Sequence, residues 1–446
     1  MNRLIEDRIG ERARVYSDER AILVGLDLGK DASWQERESM EELIELAQTA
    51  GVNVLHTLIQ KRNRPDPATF IGEGKGKQLR ELANQVNAQT LIFNDALSPA
   101  QARTLEELIQ KKIIDRPQLI MDIFALRAKS KEAKLQVELA QLEYLLPRLR
   151  GWAEKLGQAG AGIGTRGPGE TRMSQERHAI RQRIHTIKAR LAKAEQERAV
   201  RSKQREKQNT AQIALIGYTN TGKSTLLHKL TGTETFIENK LFATLETLTR
   251  RTQLPDGHEV VFTDTVGFIK KLPHQLVPAF ESTLESARDA DLILNILDVS
   301  SAGLLDQWRT TNEVLKDVFK EKPRPPMLSV LNKIDTLSSV EDFQRLGQAR
   351  QEIGHTIEVS AREEQNLTEL LWEIAHALGD RLERVSVEIP YASAGLIDQI
   401  HHWGKVFRED YDTEKITIDA ELEKRYVAEL EKKAQRNGVR LVHLSQ

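Results

Sequence analysis

Residues 213–225 read Ile-Ala-Leu-Ile-Gly-Tyr-Thr-Asn-Thr-Gly-Lys-Ser-Thr, a short buried strand running through a glycine-punctuated loop into a helix. The pattern G-x-x-x-x-G-K-S opens at Gly217 and closes at Ser224. Glycine at both ends lets the backbone curl until successive N–H groups point at one centre, which suits phosphate oxygens. The helix that starts near Lys223 turns the positive end of its dipole towards the same anions. Lys223 adds a mobile cation for β- and γ-phosphates, and the Ser224 hydroxyl is a candidate ligand for Mg²⁺. Tyr218, Thr219, Asn220 and Thr221 fill the loop, and Thr225 follows the serine. Chance can supply the pattern in a chain of 446 residues, but not readily with an apolar strand before it and the apolar helix Leu226–Leu230 after it. The stretch predicts a nucleoside triphosphate site in a layered α/β domain with a mainly parallel sheet.

Other strand ends carry the rest of such a site. Asn332-Lys333-Ile334-Asp335 follows the apolar run Leu328–Leu331. Asp335 can accept hydrogen bonds from guanine's ring N–H and exocyclic amino group, whereas adenine would leave the carboxylate buried and unpaired. Asn332 suits the other edge of the base, and the methylene stem of Lys333 suits its face. Ser360-Ala361-Arg362, after Ile357-Glu358-Val359, lies where a backbone N–H would meet the guanine oxygen. Asp264-Thr265-Val266-Gly267 follows Val260-Val261-Phe262. Asp264 is placed to hold Mg²⁺ through water, and Gly267 to offer an unhindered N–H to a γ-phosphate.

Phe268 comes next, where many small GTPases carry the glutamine that orients the attacking water. An apolar side chain cannot do that. The catalytic group is therefore unassigned: hydrolysis must draw on backbone or on a partner's residue, or be slow. Phe242-Ala243-Thr244 opens a threonine-rich stretch in which Thr244, Thr247 and Thr249 are all candidates for binding Mg²⁺ and sensing the γ-phosphate.

The formal net charge of −1 conceals a division. Residues 126–207 hold 20 Lys and Arg against 9 Glu and no Asp, and the rest of the chain is correspondingly acidic. Such asymmetry marks a basic module that meets a polyanion. Within it Leu135, Leu139, Leu142, Leu146 and Leu149 are spaced four and three apart, and Ile180, Ile184, Ile187, Leu191 and Ala194 repeat the spacing. Two such seams predict an antiparallel helical hairpin with coiled-coil character. Six glycines between Gly157 and Gly169 form its connection, with Arg166 and Pro168 among them. A plain turn needs only a few residues, so this tip reads as a probe that brings backbone close to RNA. Gly164, Arg166, Gly167, Arg172, Arg177 and Arg181 are the candidate RNA contacts.

Around these modules, residues 21–115 alternate strand and helix and predict a small parallel α/β domain. Ser98 and Pro99 are placed to cap and open one of its helices. Gly72-Glu73-Gly74-Lys75-Gly76 invites comparison with a second phosphate loop, but its spacing fits neither dinucleotide nor Walker pattern, and a basic loop touching RNA is the preferred reading. Beyond residue 384, Val385–Ile389, Ile397–Phe407, Lys415–Ile418, Glu421–Lys433 and Val439–Leu444 predict a small α+β domain. The expected division is 1–117, 118–207, 208–381 and 382–446.

The absence of cysteine excludes disulfides and thiolate metal sites. No apolar run approaches the roughly 20 residues that span a bilayer, and the first twenty residues are too charged for a signal peptide. A soluble, cytoplasmic monomer with no membrane partner is expected.

Taken together the motifs resemble those of the HflX family of ribosome-associated GTPases, related to the Obg group. The resemblance rests on Phe70–Lys75, Ala96–Gln101, Ile114–Arg116, Lys134–Leu142, Gly162–Thr171, Gly217–Thr225 and Asp264–Ile269, and covers nearly the whole chain. The family's F-A-T selects Thr244 as the Mg²⁺ ligand. Glu246-Thr247-Leu248 departs from the family's D-P-T, and Arg172-Met173-Ser174 departs from its Q-L-E. The first departure implies a looser switch segment, the second a more basic start to the return arm.

The resemblance implies binding to the large ribosomal subunit and its rRNA, with the hairpin tip reaching towards the peptidyl-transferase region. It also implies subunit separation on stalled or stressed ribosomes or a role in subunit biogenesis, with hydrolysis of GTP to GDP releasing the protein. Phosphate-dominated affinity for rRNA agrees with the basic hairpin. Two other functions fit parts of the sequence: a GTPase of tRNA modification, and an ATP-driven RNA-remodelling enzyme acting through the N-terminal domain.

Overall fold

The computed structural model describes residues 19–29, 33–149, 168–205, 210–232, 242, 248–269, 287–319, 323–379, 382–423, 426–427, 430–431 and 439–444. The N-terminal unit is built on β1 (Arg20–Asp27), β2 (Asn53–Lys61), β3 (Thr90–Phe93) and β4 (Lys112–Asp115), joined in the order β2-β1-β3-β4. All of its pairings are parallel. Helices α1 (Ser33–Thr49), α2 (Glu73–Gln85) and α3 (Pro99–Ile109) connect the strands. Residues 21–26 are buried without alternation, as expected of a strand covered on both faces. Ser98 caps α3 in a reciprocal capping box with Gln101, and Pro99 opens the helix.

Gly72 and Gly76 have close packing neighbours, whereas a Cβ on Gly74 would meet nothing within 4 Å. A Cβ on Gly72 (φ 88°) would meet the Arg62 guanidinium, and one on Gly76 would lie 2.3 Å from Leu108. Helix α4 (Arg116–Arg127) runs across the expected boundary at 117, and it sends Leu119, Ile120, Ile123 and Phe124 into the core shared with Ala21 and Leu23.

Helix α5 (Lys131–Arg148) and the 38-residue α6 (Pro168–Arg205) form the hairpin. Leu139, Leu142, Leu149, Ile180 and Ile187 are buried between them, flanked by Leu135, Leu146, Ile184 and Leu191. Arg183 clamps Glu138 through two hydrogen bonds of 2.6 and 2.8 Å, and Lys188 reaches Glu143 at 2.8 Å. At its root the hairpin is tied to the N-terminal unit through Asp115. That carboxylate caps α4 and accepts from the Tyr144 hydroxyl (2.5 Å), Arg148 (3.1 Å) and the Leu97 N–H (3.0 Å).

The third unit has a six-stranded sheet with β5 (Ala211–Gly217) near its middle, followed in sequence by α7 (Lys223–Thr231), β6 (Leu248–Gln253), β7 (Glu259–Asp264) and β8 (Leu292–Asp298). Helix α8 (Leu304–Val318), β9 (Met327–Asn332), α9 (Val340–Ile353), β10 (Thr356–Val359) and α10 (Leu367–Gly379) complete it. The order is β10-β9-β8-β5-β7-β6, parallel except for the β6–β7 hairpin. The chain leaves β5 for β7 on one side and reaches β8 on the other, so the carboxyl end of β5 is a topological switch point, where ligands of open α/β sheets bind.

The last unit is an antiparallel sheet, β12-β13-β11-β14, comprising β11 (Leu382–Pro390), β12 (Gly404–Tyr411), β13 (Lys415–Glu423) and β14 (Arg440–His443). Helix α11 (Gly395–Trp403) packs on it. The expected single element Ile397–Phe407 divides at Gly404, where a Cβ would lie 2.0 Å from the Glu421 carbonyl oxygen. Close approach to β13 ends the helix there. Residues 421–423, expected to open the separate element Glu421–Lys433, instead finish β13.

Candidate guanine nucleotide site

Backbone geometry shapes the loop after β5. Gly217 has φ 147°, and a Cβ there would sit 2.3 Å from the Ile296 carbonyl oxygen of β8. Gly222 has φ 92°, and a Cβ there would sit 2.3 Å from Asn332 Nδ2. Only glycine meets both demands. Thr221 is buried and donates to the Tyr218 carbonyl at 2.9 Å. Asn220 takes a left-handed φ of 62° at the turn. Lys223 opens α7 and donates its ammonium to the Tyr218 carbonyl at 2.5 Å. Burial pushes its pKa down to about 8, against the attraction of Asp264.

The Ser224 hydroxyl, on the first turn of α7, donates to Asp264 Oδ2 at 2.6 Å. Asp264 ends β7 fully buried, and the Thr265 hydroxyl anchors the following turn to the Leu215 carbonyl at 2.7 Å. A hydroxyl and a carboxylate meeting at the mouth of a phosphate loop are the oxygen donors that Mg²⁺ takes, so the residues present fit that ion. Thr225 is half-buried on α7. Phe242 is buried, whereas Ala243 and Thr244 lie outside the described residues.

The candidate base-recognition residues converge from three strand ends. Asn332 bridges two of them, donating to the Thr221 carbonyl at 2.8 Å while its Oδ1 accepts from the Ala361 N–H at 3.0 Å. Lys333 takes a left-handed φ of 70° that swings its side chain onto Asp298 at 2.6 Å. Asp335, on the 3-10 turn Ile334–Thr336, accepts from the Ser360 hydroxyl at 2.6 Å. That hydroxyl in turn accepts from the Glu363 N–H at 3.0 Å, which leaves its proton for Asp335. Arg362 is exposed beside Glu363.

Sequence reasoning missed Asp298. Its signal was visible, since it follows the largely apolar stretch Leu292–Leu297, broken only by Asn295, much as Asp264 follows Val260–Phe262 and Thr263. It also missed three glutamates of α1. Glu38 accepts from the Ser301 hydroxyl at 3.0 Å. Glu42 is held by Arg116 at 2.5 Å. Glu45 has its carboxyl pushed above the usual range by burial and by Glu42, against the pull of Lys333.

Of the candidate RNA contacts, Gly164, Arg166 and Gly167 lie outside the described residues. Arg172, Arg177 and Arg181 are all on α6, with Arg177 half-buried and Arg181 exposed.

Comparison with known proteins decides the family. Residues 37–125 match the family described as GTP-binding GTPase N-terminal, and residues 127–205 the GTP-binding GTPase Middle Region. Residues 212–333 match the 50S ribosome-binding GTPase family. The GTPase HflX of Caldanaerobacter subterraneus subsp. tengcongensis is 43% identical over 419 residues, 94% of each chain. The chain belongs to the HflX family of GTPases.

The Escherichia coli K12 member of the HflX family is 38% identical over 379 residues, 84% of this chain and 87% of that one. Among solved structures, a GTP-binding protein from Sulfolobus solfataricus in complex with GDP aligns over 81% of this chain and 99% of its own, with 24% identity and a TM-score of 0.43. The chain is thus a GTPase, and the HflX family is one of ribosome-binding GTPases. Among the described residues no helix is long and apolar enough to cross a membrane.

Proposed function

We propose that this HflX-family chain is a GTP-timed factor of the large ribosomal subunit. In this reading it separates subunits of stalled or stressed ribosomes, or serves subunit biogenesis, and leaves on hydrolysis. One observation carries the reading: a clamped basic hairpin is rooted by Asp115 in a unit whose helix α1 leans on the nucleotide site. One chain therefore links an RNA-probing arm to a guanine switch.

The chemistry follows from its own residues. The curled backbone of Gly217–Gly222 cradles phosphates, and Lys223 neutralises the β- and γ-oxygens. Asp335 and Asn332 select guanine. Ser224, Asp264 and Thr244 would hold Mg²⁺, which when bound offsets negative charge on the β- and γ-phosphates. Phe268 supplies no hydrogen bond to an attacking water, so turnover by the free protein is slow, on the order of the intrinsic Ras rate. A ribosomal group completes the site. Contacts to rRNA come from Arg172, Arg177 and Arg181 on α6 and from Gly164, Arg166 and Gly167 at the tip.

Cosedimentation tests this directly. With a non-hydrolysable GTP analogue the protein should travel with the large subunit at modest salt, and with GDP it should not. Absence of cosedimentation with the analogue sinks the reading. Arg181→Ala should weaken ribosome binding while sparing nucleotide affinity.

A further inference from the structure

The sheet order β10-β9-β8-β5 fixes the path of a bound nucleotide. With phosphates at the end of β5 and base at the ends of β9 and β10, the ligand must cross the end of β8. Asp298 stands at that end, beside Asn332 in the register of β8 with β9. Its two carboxylate oxygens serve different partners. Oδ1 accepts from the Ser300 N–H at 2.9 Å and from the Ser300 hydroxyl at 2.6 Å, which closes the turn after the strand. Oδ2 takes the Lys333 ammonium at 2.6 Å. Arg345 of α9 holds the same turn, donating to the Ser300 carbonyl at 3.0 Å. The carboxylate is thus fixed by its own turn as well as by the lysine.

Lys333 is held under strain. Its φ of 70° lies in the left-handed region, which a residue with a Cβ enters at a cost of about 1–3 kcal/mol. Thr336 fastens its carbonyl, donating through the N–H at 3.0 Å and through the hydroxyl at 2.7 Å. The side chain is drawn from β9 towards β8, while Asp335 and Ser360 pair on the β10 side. The methylene stem therefore spans the stretch that a nucleotide must cross, with its ammonium anchored at the far end. The Lys333 side chain is 27% exposed and that of Asp298 15%, so solvent screens the pair only in part. The ammonium also acts on Glu45 of α1. Without Asp298 it has another anion to turn to, and the stem leaves its place.

We propose that Asp298 is a positioning residue for the base: it draws the Lys333 stem across the purine face and so sets how long a nucleotide stays bound. This rests on the assignment of the base site to Asn332, Lys333 and Asp335. A stem laid on a ring face does not read exocyclic groups, because every base offers such a face. Asp335 chooses guanine, and Asp298 governs the residence of guanine and hypoxanthine alike. Loss of a contact within a formed complex shows mostly in the off-rate.

Asp298→Asn in the full chain separates the two oxygens. The asparagine oxygen can keep both Ser300 bonds, whereas its amide N–H groups face the ammonium and the clamp is lost. Release of ribose-labelled fluorescent GDP and inosine diphosphate is followed by stopped flow against excess unlabelled nucleotide. Both off-rates should rise about three- to tenfold, and their ratio should stay within about twofold of the parent's. Lys333→Met keeps an apolar stem without the charge. In that background Asp298→Asn should change either rate by less than about twofold, the usual error of additivity. A substitution that merely loosens the turn speeds release in both backgrounds, and that result overturns the proposal. A rise of less than about threefold in the parent background, or a GDP-to-inosine-diphosphate ratio moved beyond about twofold, overturns it as well. Asp335→Asn, measured alongside, keeps the two readings apart. It should shift that ratio towards inosine diphosphate, and if it does not, the base-site assignment itself fails.

Discussion

Replacing Asp335 by asparagine tests the base site at a single atom. The Ser360 hydroxyl accepts from the Glu363 N–H, so its own proton points at Asp335 Oδ1, 2.6 Å away. An asparagine here must therefore keep its oxygen towards Ser360 and turn its amino group towards the base. Guanine then presents two donors, its ring N–H and its amino group, to a donor. Each hydrogen bond to a charged partner contributes about 1.5–3 kcal/mol. Losing two of them costs roughly 3–6 kcal/mol, about 10²- to 10⁴-fold in affinity at 1.4 kcal/mol per decade. Xanthine carries a carbonyl where guanine carries the amino group, so xanthosine triphosphate should gain the hydrogen bond at that position. Competition against a fluorescent GDP, with GTP and xanthosine triphosphate as competitors, reads both changes. GTP affinity within threefold of the parent chain, or no gain for xanthosine triphosphate, would refute the assignment of Asp335 and of the Ser360 clamp.

Three further outcomes follow from the geometry. Lys223 titrates near 8 because it is buried. A phosphate beside it favours the ammonium, so binding takes up a proton above that pH. Nucleotide affinity should be flat below about pH 7 and fall as pH rises through 8, while Lys223→Arg, which stays charged, should flatten the profile. Gly217→Ala places a methyl group 2.3 Å from the Ile296 carbonyl oxygen at a φ that L residues avoid, and equilibrium dialysis should find no retained GDP. Asp115→Ala leaves Tyr144 and Arg148 without their shared carboxylate. Breaking a buried pair costs about 3–5 kcal/mol, seen as an earlier first transition by calorimetry and as proteolysis at the hairpin root.

The grouping of the candidate nucleotide-site residues was legible in the sequence because its demands are local. Two glycines, a lysine, a serine and short apolar strands each answer to a few neighbouring atoms, and the structure brings Gly217, Lys223, Ser224, Asp264, Asn332 and Asp335 together. The hairpin seam was legible for the same reason, since its spacing of three and four residues is itself the contact pattern. Docking between units was not. Glu38 and Ser301 are 263 residues apart, and the glutamates of α1 look in sequence like an ordinary solvated helix face. The membership of α4 was equally hidden, because its apolar residues cover all sides and no period distinguishes the N-terminal core from the hairpin. At Gly404 the sequence offered a single element, Ile397–Phe407, and the break arises from a carbonyl on another strand.

Phe268 shows how one side chain can settle two questions at once. Its ring is 8% exposed and packs in the cluster of Tyr218, Ala287 and Leu315, with its centroid 6.2 Å from that of Tyr218. A glutamine in that pocket would bury an amide among apolar groups, at a cost of about 1–3 kcal/mol if unpaired, and would loosen the turn whose Phe268 N–H donates to the Gly217 carbonyl and whose Phe268 carbonyl accepts from the Thr219 N–H of the phosphate loop. The apolar residue stabilises the seated turn and, by the same property, leaves no hydrogen bond for an attacking water. Restoring the usual residue with Phe268→Gln should therefore free the turn more readily than it restores catalysis. Turnover without ribosomes should change little, because no described contact orients the new amide. A large gain in unstimulated turnover would show that the missing glutamine alone keeps this GTPase slow.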